Sequence, residues 1–353
     1  MKRPQPLPAL RFGVYPGGPI GAVANVLAPV PEDASRRLKA LRMLAPEIPP
    51  LVARLYCEFA GDPEADADVP WLDQQINAYA ADGFETELVL TYRPRGREPR
   101  ADVPEFARFV RRIVKRYADC AAVTALQVTS EANVTGSPAA SDGDYPGAID
   151  ALLTGVLAAK EEIEGRATEN LALGFNWATD ADPRRNAIFF SELRRGGRAF
   201  TDALDWVGVD AYPGTWGPPL PPAPSERKTR AWLMNVLRAV RARYLPMAAI
   251  PQSVSLRLSE IGYPTDSRER TPERQAQVLS ATICAARAAQ IELNLTDYRW
   301  FALRDSNSQD PCFEGCYGLF YDDYRPKPAV ATWRSLVTKA SVAGPAEPAS
   351  GGV

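Results

Sequence analysis

The chain has 353 residues, 46% hydrophobic and 24% charged, the size and make-up of one large globular domain or two ordinary ones. Its net charge of −2 carries no overall bias toward nucleic acid or an anionic membrane surface. It contains no histidine, which removes Ser-His-Asp and Cys-His catalysis and the commonest zinc sites and leaves near-neutral proton transfer to carboxylates, Tyr, Lys or Cys.

The opening residues, Met1 to Pro6, lack the apolar segment of a signal peptide. The expectation is therefore a cytoplasmic protein, or a secreted one whose leader has been trimmed. No run is long enough for a membrane-spanning helix. Short apolar runs then alternate with helical patterns along the whole chain. A first strand over 10–14 breaks at Pro16-Gly17-Gly18, and a helix follows with Leu38, Leu41 and Leu44 on one face. A second strand over 51–56 precedes a helix over 71–81, and a third strand covers 87–92. Asp102 and Pro104 have the chemistry of a helix start, and Phe106, Val110, Ile113 and Tyr117 recur at helical spacing behind them. The basic run from Arg111 to Arg116 is the wet face of that helix rather than a nucleic-acid patch.

The fourth strand, over 123–131, ends on Glu131 and leads to a helix over 148–163. A fifth strand over 171–175 carries Asn176 and Trp177 at its mouth, with a helix near 188–193. The sixth strand, 206–209, runs into Asp210-Ala211-Tyr212-Pro213, then a proline-rich loop over 218–224 too stiff and donor-poor for helix or sheet. Leu233, Leu237 and Val240 mark the next helix. The seventh strand ends on Glu260 and breaks at Gly262 and Pro264, and Thr271-Pro272-Glu273 opens a helix with Leu279, Ile283 and Ala286 inside. An eighth strand over 297–302 and a helix from Pro328 with Val330, Trp333 and Val337 complete the series. The residues over 341–353, rich in Gly, Pro, Ala and Ser, read as a frayed tail after one domain over 1–340. Of the five cysteines, Cys312 and Cys316 are close enough to staple one loop, although two free thiols explain the pattern equally well.

Eight strand–helix pairs with right-handed crossovers predict a (β/α)8 barrel. A doubly wound open sheet is the rival, but Pro16-Gly17-Gly18-Pro19 does not make a nucleotide-binding turn. In a barrel all strand ends open on one face, so Glu131 and Glu260 would share one basin. Paired carboxylates there are the minimum apparatus for cleaving a glycosidic bond: one protonated to donate to the leaving oxygen, the other ionised to attack.

Ser130-Glu131-Ala132-Asn133 resembles the Asn-Glu-Pro-Asn signature of clan A glycoside hydrolases, and Ser259-Glu260-Ile261-Gly262-Tyr263-Pro264-Thr265 is similar to that clan's nucleophile segment. The stretches from Asp205 to Tyr212, Tyr298 to Phe301, Gly318 to Phe320 and Lys327 to Ala329 resemble its sixth and eighth strands and closing segment, so that the likeness spans nearly the whole chain. The resemblance implies a retaining glycosidase without metal or organic cofactor, with Glu131 as acid/base and Glu260 as nucleophile. It implies that Tyr212 hydrogen-bonds Glu260, that Arg54 adds positive charge beneath it, and that Trp300 floors the sugar site. Asn133 is the last residue of the signature, and Tyr15, Trp177, Trp216 and Tyr263 are further aromatic faces for sugar C–H groups. Ser130 replaces the clan's usual Asn, and being shorter it leaves the contact with the sugar 2-hydroxyl open; Ala132 replaces the usual Pro. The expected partner is a carbohydrate, not nucleic acid or membrane. A non-catalytic carbohydrate-binding barrel and a transglycosylase using the same covalent intermediate stay as alternatives.

Overall fold

The computed structural model describes residues 9–17, 27–47, 49–61, 69–94, 102–166, 171–266 and 268–337; the expected tail over 341–353 lies outside them. Eight strands, β1 (Arg11–Val14), β2 (Val52–Phe59), β3 (Glu85–Tyr92), β4 (Val123–Val128), β5 (Ala172–Ala178), β6 (Trp206–Ala211), β7 (Ser255–Ile261) and β8 (Leu295–Trp300), pair in chain order and close into a barrel. Every pairing is parallel, and the seam runs from Arg11 opposite Asp297 to Val14 opposite Trp300. One principal helix follows each strand: Ala34–Leu44, Val69–Ala81, Asp102–Tyr117, Ala148–Glu164, Pro183–Leu193, Glu226–Ala239, Pro272–Leu293 and Pro328–Val337. This is the (β/α)8 barrel that the alternating pattern predicts.

The helix starts follow from their caps. Asp33 accepts from the backbone N–H groups of Ser35 and Arg36, at 2.9 and 3.0 Å. Thr271 accepts from that of Arg274 at 3.2 Å, with Pro272 in the first turn. Asp102, expected as a cap, is instead the first helical residue. The basic face from Arg111 to Arg116 pairs sideways with neighbouring helices, Arg111 with Glu161 at 2.5 Å and Arg116 with Asp73. Outside the β1–β8 seam, Phe12, Tyr298 and Trp333 form an aromatic cluster, and the Trp333 indole donates to the Leu44 carbonyl at 2.8 Å. The loop over 218–224 forms neither helix nor strand, as expected. Cys312 and Cys316 are free thiols, and burial pushes the Cys316 thiol up to about 12. Among the described residues no helix is long and apolar enough to cross a membrane.

Strand side chains alternate between lumen and helix layer. Branched aliphatic layers usually fill the lumen of such a barrel, but here it is charged. Arg54, Glu87, Arg257, Asp297 and Arg299 are all buried inside. Glu87 meets Arg54 at 2.5 Å and Arg257 and Arg299 at 3.3 Å each, and Asp297 meets Arg257 at 3.2 Å and also Arg299. Burial would raise the Glu87 carboxyl, but Arg299, Arg54 and Arg257 together outweigh it and hold Glu87 below the usual carboxylate range. Arg257 also lies over the Trp206 ring at 4.4 Å. Gly174 makes room for that ring, since a Cβ there would stand 2.3 Å from it. A pile of this kind is stabilising only while every member is paired; removing one partner from a buried pair costs about 3–5 kcal/mol.

Candidate active site

Two local irregularities bring the acids to the lumen. Period-two alternation turns Arg257 and Ser259 inward, which would send Glu260 outward. A register shift prevents this: Val209 pairs with Leu258, but Asp210 pairs with Glu260. The extra residue is a β-bulge, and it leaves Ser259 and Glu260 both facing Asp210's side of the barrel. The strand then continues to Ile261, one residue beyond the expected end.

Glu131 arrives differently. β4 stops at Val128, so Glu131 is not the strand's last residue, as expected from sequence, but lies three residues further on. Thr129 and Glu131 both take left-handed backbone, with φ of 63° and 48°. For residues with a Cβ this costs about 1–3 kcal/mol each and persists only where the surroundings impose it. They do. Asn176 accepts from the Glu131 N–H at 2.8 Å, and the Asp142 carboxyl accepts from the N–H groups of Ser130 and Tyr92, at 2.7 and 2.8 Å. Asn133 holds Ala178 from both sides, donating at 2.9 Å and accepting at 3.1 Å. Burial pushes the Asp142 carboxyl up to about 7, against the pull of Arg93 and those two N–H groups.

Above the charged lumen opens a cavity of about 970 Å³. Tyr15, Tyr56, Glu131, Asp210, Tyr212, Glu260 and Phe301 line its buried part, and the half-exposed Trp71 and Trp216 stand on its rim. Three donors converge on Glu260. Arg54 reaches one carboxylate oxygen at 3.1 Å, Tyr56 donates to the same oxygen, and Tyr212 donates to the other at 2.6 Å. One of the three is a guanidinium, so its bond is charge-assisted at the donor. Glu131 has a single side-chain hydroxyl, that of Ser141, donating to it at 2.6 Å. Burial, then the charge of Glu260, pushes the Glu131 carboxyl up to about 8, and Ser141 pulls the other way. One oxygen each from Glu131, Asp210 and Glu260 lie within 4.8 Å of one another. Three donors on one acid and one on its neighbour separate the environments of a carboxyl pair, the pattern that assigns an acid and a base.

The expected site residues divide accordingly. Glu131, Glu260, Tyr15, Tyr212 and Trp216 line the cavity, and Arg54 supports Glu260 from below. Ser130, Asn133, Trp177, Tyr263 and Trp300 do not. Ser130 and Asn133 serve the loop clamps just described. Trp177 shares the outward face of β5 with Phe175 and packs on Phe190 and Tyr244, at 5.6 and 5.7 Å between rings. Tyr263 donates to the Pro222 carbonyl and so ties the proline-rich loop to the end of β7. Trp300 shares the outward face of Tyr298 and donates to the Tyr317 carbonyl at 3.3 Å. The inward face of β8 carries Asp297 and Arg299, and its next member is Phe301, which stacks on Tyr15 with rings 4.9 Å apart. Phe301, not Trp300, is therefore the aromatic floor. Asp210, Tyr56, Asn176 and Ser141 are the site residues that motif reasoning passed over. For Tyr56 and Asp210 a signal existed: each lies two residues from a residue already assigned, on the same strand face.

No protein-family model and no curated protein matches the chain by sequence. Solved structures do match. GH5_18 from Bifidobacterium longum subsp. longum, in complex with Manβ1-4GlcNAc, aligns with a TM-score of 0.64 at 16% identity, over 96% of this chain and 80% of that one. A hyperthermophilic β-glucosidase from Pyrococcus furiosus aligns at 0.61 and 14%, over 96% of both chains. A fungal β-1,4-galactanase aligns at 0.58 and 10%, over 80% of this chain and 87% of that one. The likeness is one of fold. The barrel that the resemblance implied is the barrel these proteins have.

Proposed function

We propose that the chain is a retaining glycoside hydrolase acting on a carbohydrate O-glycosidic bond, with Glu260 as nucleophile and Glu131 as acid/base. The reading rests on one observation above the rest: an oxygen of Glu131 and an oxygen of Glu260 lie within 4.8 Å of each other across a cavity, with unequal hydrogen-bond surroundings. A separation of roughly 5–5.5 Å suits direct attack on the sugar, whereas an inverting pair stands roughly 6.5–9.5 Å apart to admit a water. In the first step Glu260 attacks the anomeric carbon while Glu131 gives its proton to the departing oxygen. In the second, Glu131 takes a proton from water as that water attacks the ester, and Glu260 is released. The half-exposed rings of Trp71 and Trp216 are placed for the apolar faces of further sugar units.

The stereochemistry of the first product tests this reading. Proton NMR of a fresh digest of an aryl glycoside should show the product anomer with the configuration of the substrate. A 2-deoxy-2-fluoro glycoside should trap a covalent adduct on the peptide that contains Glu260. Initial release of the opposite anomer, or an adduct on another peptide, contradicts it. Ser141 offers a finer check. Its hydroxyl favours the ionised form of Glu131, so Ser141→Ala should move the alkaline limb of kcat/KM to higher pH by up to about one pH unit. A shift in the acid direction would reverse the role given to Ser141.

A further inference from the structure

The reaction needs two carboxyl groups, and the cavity floor holds three. Asp210, near the end of β6, is buried and lines the cavity beside Glu131 and Glu260. Each of its two oxygens has a neutral donor. Ser259 donates to one of its oxygens at 2.5 Å, and the Asn176 amide donates to the other. The oxygen of that same amide accepts the Glu131 N–H at 2.8 Å, so Asn176 fixes Asp210 and Glu131 to one another. The remaining groups facing Asp210 are Arg54 and Tyr56 from β2, Tyr212 from its own strand's end, and Glu260 from β7. Arg54, the cation of this region, is bonded to Glu87 and Glu260.

We propose that Asp210 is a positioning residue that shares a proton with Glu131, so that the two titrate as one pair beside Glu260. The proposal rests on the glycosidase reading for its role in turnover. Its argument is charge conservation. In the first step the negative charge of Glu260 disappears into an ester bond, and an equal charge appears on Glu131 as its proton leaves with the departing oxygen. Glu131 thus becomes an anion in a site with one hydroxyl donor, Ser141. The pair holds one proton at the start, so its departure leaves both members ionised, and the charge of Asp210 is what held that proton on Glu131 until that step. When Glu131 recovers a proton in the second step, the pair returns to its starting state, and no external acid is consumed. Burial, then the charges of Glu260 and Glu131, raise the Asp210 carboxyl well above the ordinary aspartate range, the same direction in which Glu131 is pushed.

A pair that interacts strongly loses its protons in two separated steps belonging to both groups. The test follows the side-chain carboxyl carbons of Glu131 and Asp210 by NMR in protein labelled with carbon-13 at Glu Cδ and Asp Cγ, with Glu131→Gln and Asp210→Asn used for assignment. In the wild type the Glu131 signal should titrate in two steps at least about one pH unit apart. Asp210→Asn should collapse it to one step and abolish the high-pH step. By reciprocity, Glu131→Gln should remove the high-pH step from the Asp210 signal. The alkaline limb of kcat/KM for Asp210→Asn should move to lower pH by a similar amount, which a purely structural contribution would not do. A single-step Glu131 titration in the wild type, unchanged in Asp210→Asn, overturns the proposal even if turnover is normal. Absence of glycoside turnover by the wild type instead overturns the glycosidase reading, and the titration then decides the proton sharing by itself.

Discussion

Glu260→Ala should lower kcat for an aryl glycoside by about 10⁴-fold, equivalent to about 5.5 kcal/mol of lost transition-state stabilisation. The loss is expected to be large because, on the proposed mechanism, the residue forms the bond that splits one difficult displacement into two easier ones. The deletion also leaves Arg54, Tyr56 and Tyr212 aimed at an empty space the size of a carboxylate. A small anion such as formate or azide fits that space and its donors. Added azide should restore turnover in part and yield a glycosyl azide of configuration opposite to the substrate, since only one displacement then occurs. Circular dichroism and a thermal melt establish that the variant is folded. A folded Glu260→Ala protein with wild-type turnover would remove Glu260 from the mechanism.

The second large effect concerns Glu131, and it depends on the leaving group. An alkyl glycoside or an unactivated disaccharide needs a proton on its departing oxygen, so Glu131→Gln should reduce its kcat/KM by about 10²–10⁴-fold. A glycoside of a strongly acidic phenol needs no such help, and its kcat/KM should fall far less. The wild-type pH profile carries the same signature. On the proposed mechanism Glu131 must hold its proton for the first step, and its carboxyl is pushed up to about 8. Activity on a poor leaving group should therefore persist through neutral pH and fall above about pH 8. In Glu131→Gln that limb should vanish. Equal losses for good and poor leaving groups would mean that Glu131 is not the proton donor.

The barrel was legible because its evidence is repetitive. Eight apolar runs, each followed by a helical pattern, leave few alternatives, and capping residues such as Thr271 place several helix starts closely. The helix Pro183–Leu193 begins earlier than apolar spacing predicts, because its first turn, with Arg184, Arg185 and Asn186, lacks an apolar face. The acids themselves were legible as carboxylates beside strand ends. Their manner of entry was not. Hydrophobic pattern does not announce the β7 bulge that turns Glu260 inward, nor the left-handed backbone at Glu131, because both are imposed by distant partners. The aromatic floor went to the wrong neighbour for a simple reason. Trp300 is the larger ring, but strand parity counted from Arg299 selects Phe301. Ser141 stood outside any motif, since it reaches Glu131 only through a loop that Asp142 anchors by accepting backbone N–H groups at the ends of β3 and β4.

On the proposed mechanism the charged lumen would bear on how fast the sugar leaves. Arg54 divides its guanidinium between Glu87 beneath and Glu260 above, at 2.5 and 3.1 Å. Locking the upper carboxylate into an ester would take from that cation one of its two bonded counter-ions. The trapped intermediate would thus sit on an electrostatic spring, compressed by its own formation and relaxed when the anion reappears.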